Sequence, residues 1–566
     1  TYQRYLYRKG SSRGGDITIT TKAGDLEKKL GNFLKPQLQS AYQLAQKLEL
    51  GKEAAIIGAL ITLIESQFEH ITRELQSVFE TLDKKEQQST GFSFRVIVDG
   101  EEKYLDDFRV FQAQILSSGV EGKKEKYSVY SAAENQVCSI CQLVKPEVLG
   151  FASPFKFATV DKPGMVAGFF KQKNNWKNYP ICTDCSLEFE LGQKFVANKL
   201  KRYFYGLSYF LIPKSVIQGD SNTLQKAIRL LEEIDYQASV KDQEVIQRRE
   251  DFVMHKLGEC ENSFSLNLLF FEENPTTKAI SINLMLEEIL PSRFRKLFIE
   301  APKAINSHEW YKDAIIIKKQ KYDLAFSFGL IKEFFEDQFY EMIHKVFRGE
   351  KLALENMWSH FTKVIRSNHA EGKSSYWTVL KAHLLIRYFA QLGLIDIHPQ
   401  PPVKIMDTPT QESPKGKQAY NKKFDRAQLE TFVRDNPEFF DQDYKKGVFA
   451  VGILVRLLLN IQSVTLNGNT PFEKKLKGLN LNHEALIGIY VEALNKLSQF
   501  KYGNSNFFIQ VYIELREFIS DHFTLEAHKL SKISNNELSF YFVAGLEMGT
   551  KFKLDLENIE SPENLD

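Results

Sequence analysis

Apolar residues between Lys52 and Leu82 recur every three or four positions: Ile57, Ile61, Ile64, Phe68, Ile71, Leu75, Val78 and Leu82. That spacing follows the helical turn and predicts one amphipathic helix of many turns. The period then falls to two. Phe92, Phe94, Val96 and Val98 alternate with other positions, and Asp99-Gly100 precedes Lys103-Tyr104-Leu105, which predicts a β-hairpin. Residues 191–400 mix helical and strand-like runs and close on Pro399, Pro401 and Pro402. A polar stretch through Lys423 reads as a linker. Beyond it, apolar faces near 445–462, 484–500, 505–520 and 536–549 are joined by short polar connections, the pattern of an antiparallel helical bundle. The expected fold is therefore α+β and mostly helical. Its regions are an amino-terminal helix and hairpin region (1–135), a four-cysteine subdomain with an insert (136–190), a central mixed α/β region (191–400), a linker (401–425) and the bundle (426–566).

Composition narrows the function. Over 566 residues, Lys plus Arg number 74 and Asp plus Glu 72, a net charge of +2. Such a chain is no polycation, so any nucleic-acid contact has to be concentrated in patches. Hydrophobic residues at 43% and charged residues at 26% exclude global disorder. Only five cysteines exclude a disulfide scaffold. The run Ala54–Ile64 is about half of what a bilayer crossing needs, and the run Val448–Leu459 is interrupted by Arg456. The expectation is a soluble, cytoplasmic protein without a membrane partner.

Four of the cysteines carry the chemistry. Cys138-Ser-Ile-Cys141 and Cys182-Thr-Asp-Cys185 are matched C-x2-C pairs. A tight turn within each pair can direct two thiolates to one metal, and zinc takes four such ligands in a tetrahedron. With all four positions filled there is none left for water, so the expected zinc is structural. Iron also suits four thiolates. Cys260 is left as a free thiol, expected to be buried.

The insert between the pairs carries Lys145, Lys156, Lys162, Lys171, Lys173 and Lys177 against Glu147 and Asp161, with Asn174, Asn175 and Trp176 beside the lysines. Lysine can meet phosphate, asparagine can read adenine edges and tryptophan can stack or wedge. A solvated loop explains the same composition. A second basic stretch, Lys194, Lys199, Lys201 and Arg202, leads into Tyr203, Phe204, Tyr205 and Tyr209, with no acidic residue between Leu191 and Val216. It fits a nucleic-acid backbone track, or equally a helix with an aromatic core face and snorkelling lysines. Arg8, Lys9 and Arg13 with Gly14 and Gly15 form a candidate phosphate-cradling loop, or equally a plain flexible loop.

Enzyme signatures fail. Gly372-Lys373-Ser374 resembles the end of a phosphate-binding loop, but Ser367 stands where its first glycine belongs. Neither H-E-x-x-H nor G-x-S-x-G occurs, and the eleven histidines are scattered. His255, His344 and His383 fall in helical patterns, as core or surface residues do. The expectation is no catalytic residues and no enzyme.

The order of these features resembles the large subunit, the Cas-eight type of CRISPR-associated protein, of type I-B CRISPR effector complexes (Cascade). The resembling stretches are Tyr5-Leu-Tyr-Arg-Lys-Gly-Ser-Ser-Arg-Gly-Gly-Asp16, the Cys138 pair, Thr159-Val-Asp-Lys-Pro-Gly164 and Trp176-Lys-Asn-Tyr-Pro-Ile-Cys182 with Cys185. They continue in Tyr209-Phe-Leu-Ile-Pro213, Leu290-Pro-Ser-Arg293 and Phe540-Tyr-Phe-Val-Ala-Gly545, spanning nearly the whole chain. The resemblance implies a prokaryotic complex with crRNA, backbone and handle-binding subunits. It implies recognition of the PAM in double-stranded target DNA, help in R-loop formation, and recruitment in trans of a separate helicase-nuclease. The guide RNA reads the remaining sequence. The carboxy-terminal bundle then looks like the small subunit of such complexes, and internal translation from Met406 would release residues 406 to 566. Two other classes compete: a stand-alone zinc-containing nucleic-acid-binding protein, and a metal-dependent nuclease whose site is assembled from distant residues.

Overall fold

A computed structural model of the chain describes residues 4–6, 20–22, 26–32, 37–126, 128–152, 171–217, 219–241, 246–276, 279–312, 314–317, 320–396, 426–500 and 513–552. The chain divides into two compact units: Thr1–Phe195 with Pro275–Ile280, and Val196–Asn274 with Ser281–Asp566. The fold is α+β and mostly helical, with small antiparallel sheets.

In the first unit, α1 (Gly51–Ser66) and α2 (Phe68–Glu80) occupy the segment expected to form one long helix. They meet at an angle of 79°. The break falls at Gln67, which leaves the helical region at φ −118° and ψ 20°. Beside it, the Ser66 hydroxyl donates to the Leu63 carbonyl at 2.9 Å, a local bond of the kind that competes with the helical ladder. The expected hairpin forms from β1 (Val96–Val98) and β2 (Glu101–Lys103). Asp99 and Gly100, at φ 52° and 82°, supply the two left-handed positions of its turn. Helix α3 (Arg109–Lys124) starts with Glu53 accepting from the Arg109 and Val110 amides at 3.1 and 2.9 Å. Ile57, Ile61, Ile64, Phe108 and Phe111 lie in the core of this region. Strands β3 (Ala132–Val137) and β4 (Val144–Leu149) form a second hairpin, and α4 (Thr183–Lys199) follows the second cysteine pair.

The second unit is built on a four-stranded antiparallel sheet of β5 (Lys201–Phe204), β6 (Leu207–Ser215), β7 (Phe264–Glu273) and β8 (Ile280–Ile289), in the order β8-β7-β6-β5. Tyr209 pairs with Phe270 and Leu211 with Leu268, so aromatic and aliphatic side chains face each other across the central strands. Helices α5 (Ser221–Lys241) and α6 (Ile246–Gly258) connect β6 to β7. Pro291 opens the helix after β8, and Arg293 of the Leu290-Pro-Ser-Arg293 stretch donates to the Val346 and Phe347 carbonyls at the end of α7 (Phe339–Arg348). That guanidinium supplies partners for carbonyls the helix leaves open.

Helices α8 (Leu354–Ala370) and α9 (Tyr376–Gln391) precede the carboxy-terminal helices. These are α10 (Asp443–Thr465), α11 (His483–Leu497), a short helix at Ile513–Ile519 and α12 (Asn535–Met548). Tyr444 meets Glu537 at 2.8 Å and Arg456 meets Glu547 at 3.3 Å, so α10 and α12 run side by side in the same direction. Their backbones touch where Gly545 lies against the Phe449 carbonyl, a spacing that leaves no room for a Cβ. Among the described residues α10 is the one single helix long and apolar enough to cross a bilayer, and 78% of its apolar window is buried inside the unit. The expected linker at 401–425, with Met406, lies outside the described residues.

Candidate metal centre and the adjoining lysine turn

The β3–β4 hairpin ends in the first cysteine pair. Val137 pairs with Val144 at the last rung, and the Cys138 amide donates to the Leu143 carbonyl at 3.0 Å. Gln142, at φ 59°, lets the chain reverse and donates to the Cys138 carbonyl at 2.9 Å. The second pair is tied to the same hairpin by two backbone bonds: Ser139 N–H to the Pro180 carbonyl at 2.7 Å, and Leu149 N–H to the Ile181 carbonyl at 2.8 Å. Cys182 then sits immediately before α4, and Cys185 lies in the first turn of that helix.

The four sulfurs of Cys138, Cys141, Cys182 and Cys185 lie within 4.8 Å of one another. Ligands about 2.3 Å from a tetrahedral centre stand about 3.8 Å apart, so a small contraction suffices to close the shell on zinc. Cys138, Cys182 and Cys185 are buried and Cys141 is half-buried. The Cys182 amide donates to Cys138 Sγ at 3.3 Å. Burial pushes the Cys138 thiol up, but the amides of Cys141, Cys182 and Ile140 around its sulfur outweigh it and bring it down to about 6. Burial raises Cys182, and it pushes Cys185, with the neighbouring thiols, up to about 12. Such a set holds its full negative charge only around a cation. The donor chemistry and the spacing both fit a closed four-thiolate metal site. Among the described residues no second group of three or more His, Cys, Asp and Glu side chains is arranged to hold a metal.

Cys260, expected buried, is half-buried and its thiol donates to the Lys256 carbonyl at 3.3 Å.

Lys123 reinforces the base of α4. It is 7% exposed, and its ammonium reaches Ser186 Oγ at 3.1 Å and the Glu190 carboxylate at 3.1 Å. Nothing in the sequence pattern marks this lysine, because its partners lie more than sixty residues away.

The lysines just before the second cysteine pair sit on a 3-10 helical turn, Gln172–Lys177. Ser131, 1% exposed, fastens that turn to the hairpin: its hydroxyl donates to the Lys173 carbonyl at 3.0 Å and accepts from the Trp176 amide at 3.2 Å. Gly150 lies so close to Ser131 that a Cβ would overlap it. Lys171 and Lys173 are exposed and make no ion pair among the described residues. Asn174 and Trp176 are half-buried, and the Lys177 ammonium lies 5.5 Å from the centre of the Trp176 ring. Asn175 is 1% exposed. Lys162 lies outside the described residues, as do Arg8, Lys9 and Arg13.

The second basic stretch takes a form the sequence reading did not offer. Lys199 ends α4, while Lys201 and Arg202 lie on β5. Lys199 is 3.5 Å from Glu232, and Lys201 is 3.6 Å from Glu273. Arg202 donates to the Lys199 and Lys201 carbonyls at 2.7 and 2.9 Å. Phe204, Tyr205 and Tyr209 are core residues, and Tyr203 is exposed. Acidic partners distant in sequence, invisible in the local run, pair with Lys199 and Lys201.

His255 and His344 are surface residues near Glu259 and Glu350, while His383 is fully buried. The His383 ring bonds the Tyr311 hydroxyl at 2.7 Å through Nδ1 and Asn436 Oδ1 at 3.0 Å through Nε2.

Comparison with known families places these elements in context. Residues 1–117, 135–289 and 326–560 match the amino-terminal, central and carboxy-terminal domains of CRISPR-associated protein TM1802 (cas_TM1802). The central match contains the four-cysteine centre and the lysine turn. No curated protein matches the chain.

Proposed function

The chain belongs to the CRISPR-associated TM1802 (cas_TM1802) family, and from this we propose that it is the large subunit of a type I-B RNA-guided DNA surveillance complex. In this reading it recognises the PAM in duplex DNA, aids R-loop formation and recruits the helicase-nuclease. Its partners are crRNA, the backbone and handle-binding subunits, and a small subunit of the same sequence as residues 406 to 566. It works in the prokaryotic cytoplasm and carries no catalytic residues of its own.

The observation that supports this most is the attachment of exposed lysines, without an ion pair among the described residues, to a rigid base. Lys171 and Lys173 stand on a turn that Ser131 ties to the cysteine-bearing hairpin. Zinc held by Cys138, Cys141, Cys182 and Cys185 would supply a structural cross-link between that hairpin and α4, closed to water. A reader of a short duplex element needs few base contacts and several phosphate contacts, set before the DNA arrives. The turn meets that need: cations outward, backbone fixed. The cations at the end of α4 and on β5 are engaged by carboxylates or backbone carbonyls and meet it less well, so Lys199, Lys201 and Arg202 have secondary parts.

The test is the double variant Lys171→Ala, Lys173→Ala, assayed for binding to target duplex over a salt series. Loss of two phosphate contacts lowers affinity across all sequences and reduces the salt slope by about two. Unchanged affinity and slope would leave the turn merely architectural. Binding by the isolated chain with no guide RNA would favour the stand-alone nucleic-acid-binding protein, and Mg²⁺-dependent cleavage would favour the nuclease.

A further inference from the structure

Asn175 is an anomaly in the lysine turn. It is 1% exposed, and both its side-chain oxygen and its side-chain nitrogen lack a hydrogen-bond partner among the described residues. A buried amide without partners is disfavoured, and in a native fold it calls for a specific explanation. An apolar residue of the same shape would suit the position better. The residues around it are exposed: Lys173 and Lys177 on the same short helix, and Lys171 immediately before it. The turn is of the 3-10 type, whose hydrogen-bond geometry is poorer than that of an α-helix. Its fixed points are the Ser131 bonds at Lys173 and Trp176, one on either side of Asn175.

We propose that Asn175 is a latent reading residue, stored inside the turn in the free chain and turned outward to a base edge when duplex DNA engages the flanking lysines. The inference rests on the reading of this turn as the duplex-facing element. A carboxamide can pair both its donor and its acceptor with an adenine edge in the major groove, the two functions left open in the buried state. The unsatisfied amide destabilises the closed turn, so less of the DNA-binding energy is needed to open it. Ser131 is the positioning residue: with the chain held at 173 and 176, the side chain between them can swing while the lysines keep their place.

The experiment uses the full chain as purified from its source cells, the variants Asn175→Leu and Asn175→Ala, and a target duplex pool randomised in the element beside the target. Metal content is measured alongside as a check on folding. Asn175→Leu is expected to raise the unfolding midpoint, by roughly 2–4 °C if one unsatisfied group is removed, and to flatten the sequence preference in the randomised element at least fivefold. Asn175→Ala flattens it equally, with the metal retained. A lower midpoint for Asn175→Leu would show that the amide has partners inside and would overturn the proposal. So would an unchanged preference in both variants while Lys171→Ala, Lys173→Ala still weakens binding. If the lysine variant also binds normally, the duplex-facing reading of the turn fails, and the inference with it.

Discussion

The Glu547 carboxylate on α12 accepts from the Ser374 hydroxyl at 2.9 Å and the Ser375 amide at 3.3 Å, at the start of α9. Two donors that close the Gly372-Lys373-Ser374 stretch are therefore taken by a carboxylate of the same chain. Arg456 on α10 holds the same carboxylate at 3.3 Å. The resemblance in sequence thus ends in an internal cap for a helix, joining α9, α10 and α12.

Glu547→Ala removes the cap and leaves Arg456, only 23% exposed in its side chain, without its anion. The expected cost is about 2 kcal/mol, read as a lower denaturant midpoint. Millimolar ATP is expected to leave the midpoint of the unmodified chain where it is, since these donors are already engaged and Ser367 stands in place of the motif's first glycine.

Metal should be essential to the first unit. One zinc per chain is expected by elemental analysis, and Cys182→Ser should lose it. Chelation should open the β3–β4 hairpin, so that limited proteolysis cuts first within residues 128–152. The thiolates must shed protons to bind, so metal affinity falls as pH falls.

Three titratable groups in the second unit respond to acid, the two histidines in one direction and an aspartate in the other. Burial, followed by the charge of Arg387, pushes His308 down to about 4, and His383 behind it is held well below the usual range by burial and by His308. Their folded values lie below the unfolded ones, so the stability that the neutral rings contribute is present above pH 6.5 and lost as pH falls towards about 4. Asp251 runs the other way. Burial raises it to about 6, against the hydroxyl bond from Tyr205 at 2.7 Å, with neighbouring Glu250 adding to the rise. Its contribution is largest below the unfolded carboxylate range and is lost as pH rises through 6. Asp251→Asn keeps the acceptor for Tyr205 and removes that loss. The variant is expected to be more stable than the parent at pH 8, by up to about 3 kcal/mol, and no more stable at pH 4. Denaturant midpoints of the two chains across pH 4–8 check both signs.

Close backbone approach makes two glycines indispensable. A Cβ at Gly150 would overlap Ser131, and one at Gly545 would overlap the Phe449 carbonyl. Gly545→Ala should cost about 3 kcal/mol and lower the midpoint of the second unit. Gly150→Ala should displace the lysine turn and weaken duplex binding as strongly as loss of the lysines themselves.

The local patterns of the chain were legible wherever one element satisfies itself. The β1–β2 hairpin at Asp99-Gly100, the helices at 443–465, 483–497 and 535–548, and the cysteine pairs all follow from spacing alone. Relations between distant residues were not. Periodicity runs straight through Gln67, where the backbone turns. The run Lys199–Arg202 reads as basic because Glu232 and Glu273 lie far along the chain. Ser131, Lys123 and Gly150, which hold the turn and the metal base in place, are single residues without a motif, and only their contacts identify them. Asn175 stood out for its type beside lysines, but its burial could not be read from the sequence.

The proposed role of this chain is that of large subunit in an RNA-guided complex. It is tested most directly by isolating the chain under native conditions from its source cells, sequencing the bound RNA and identifying the accompanying proteins. Repeat-derived guide RNAs, several copies of a backbone subunit, and a short product beginning near residue 406 that Met406→Leu abolishes are expected. A chain recovered alone, without RNA, would contradict it.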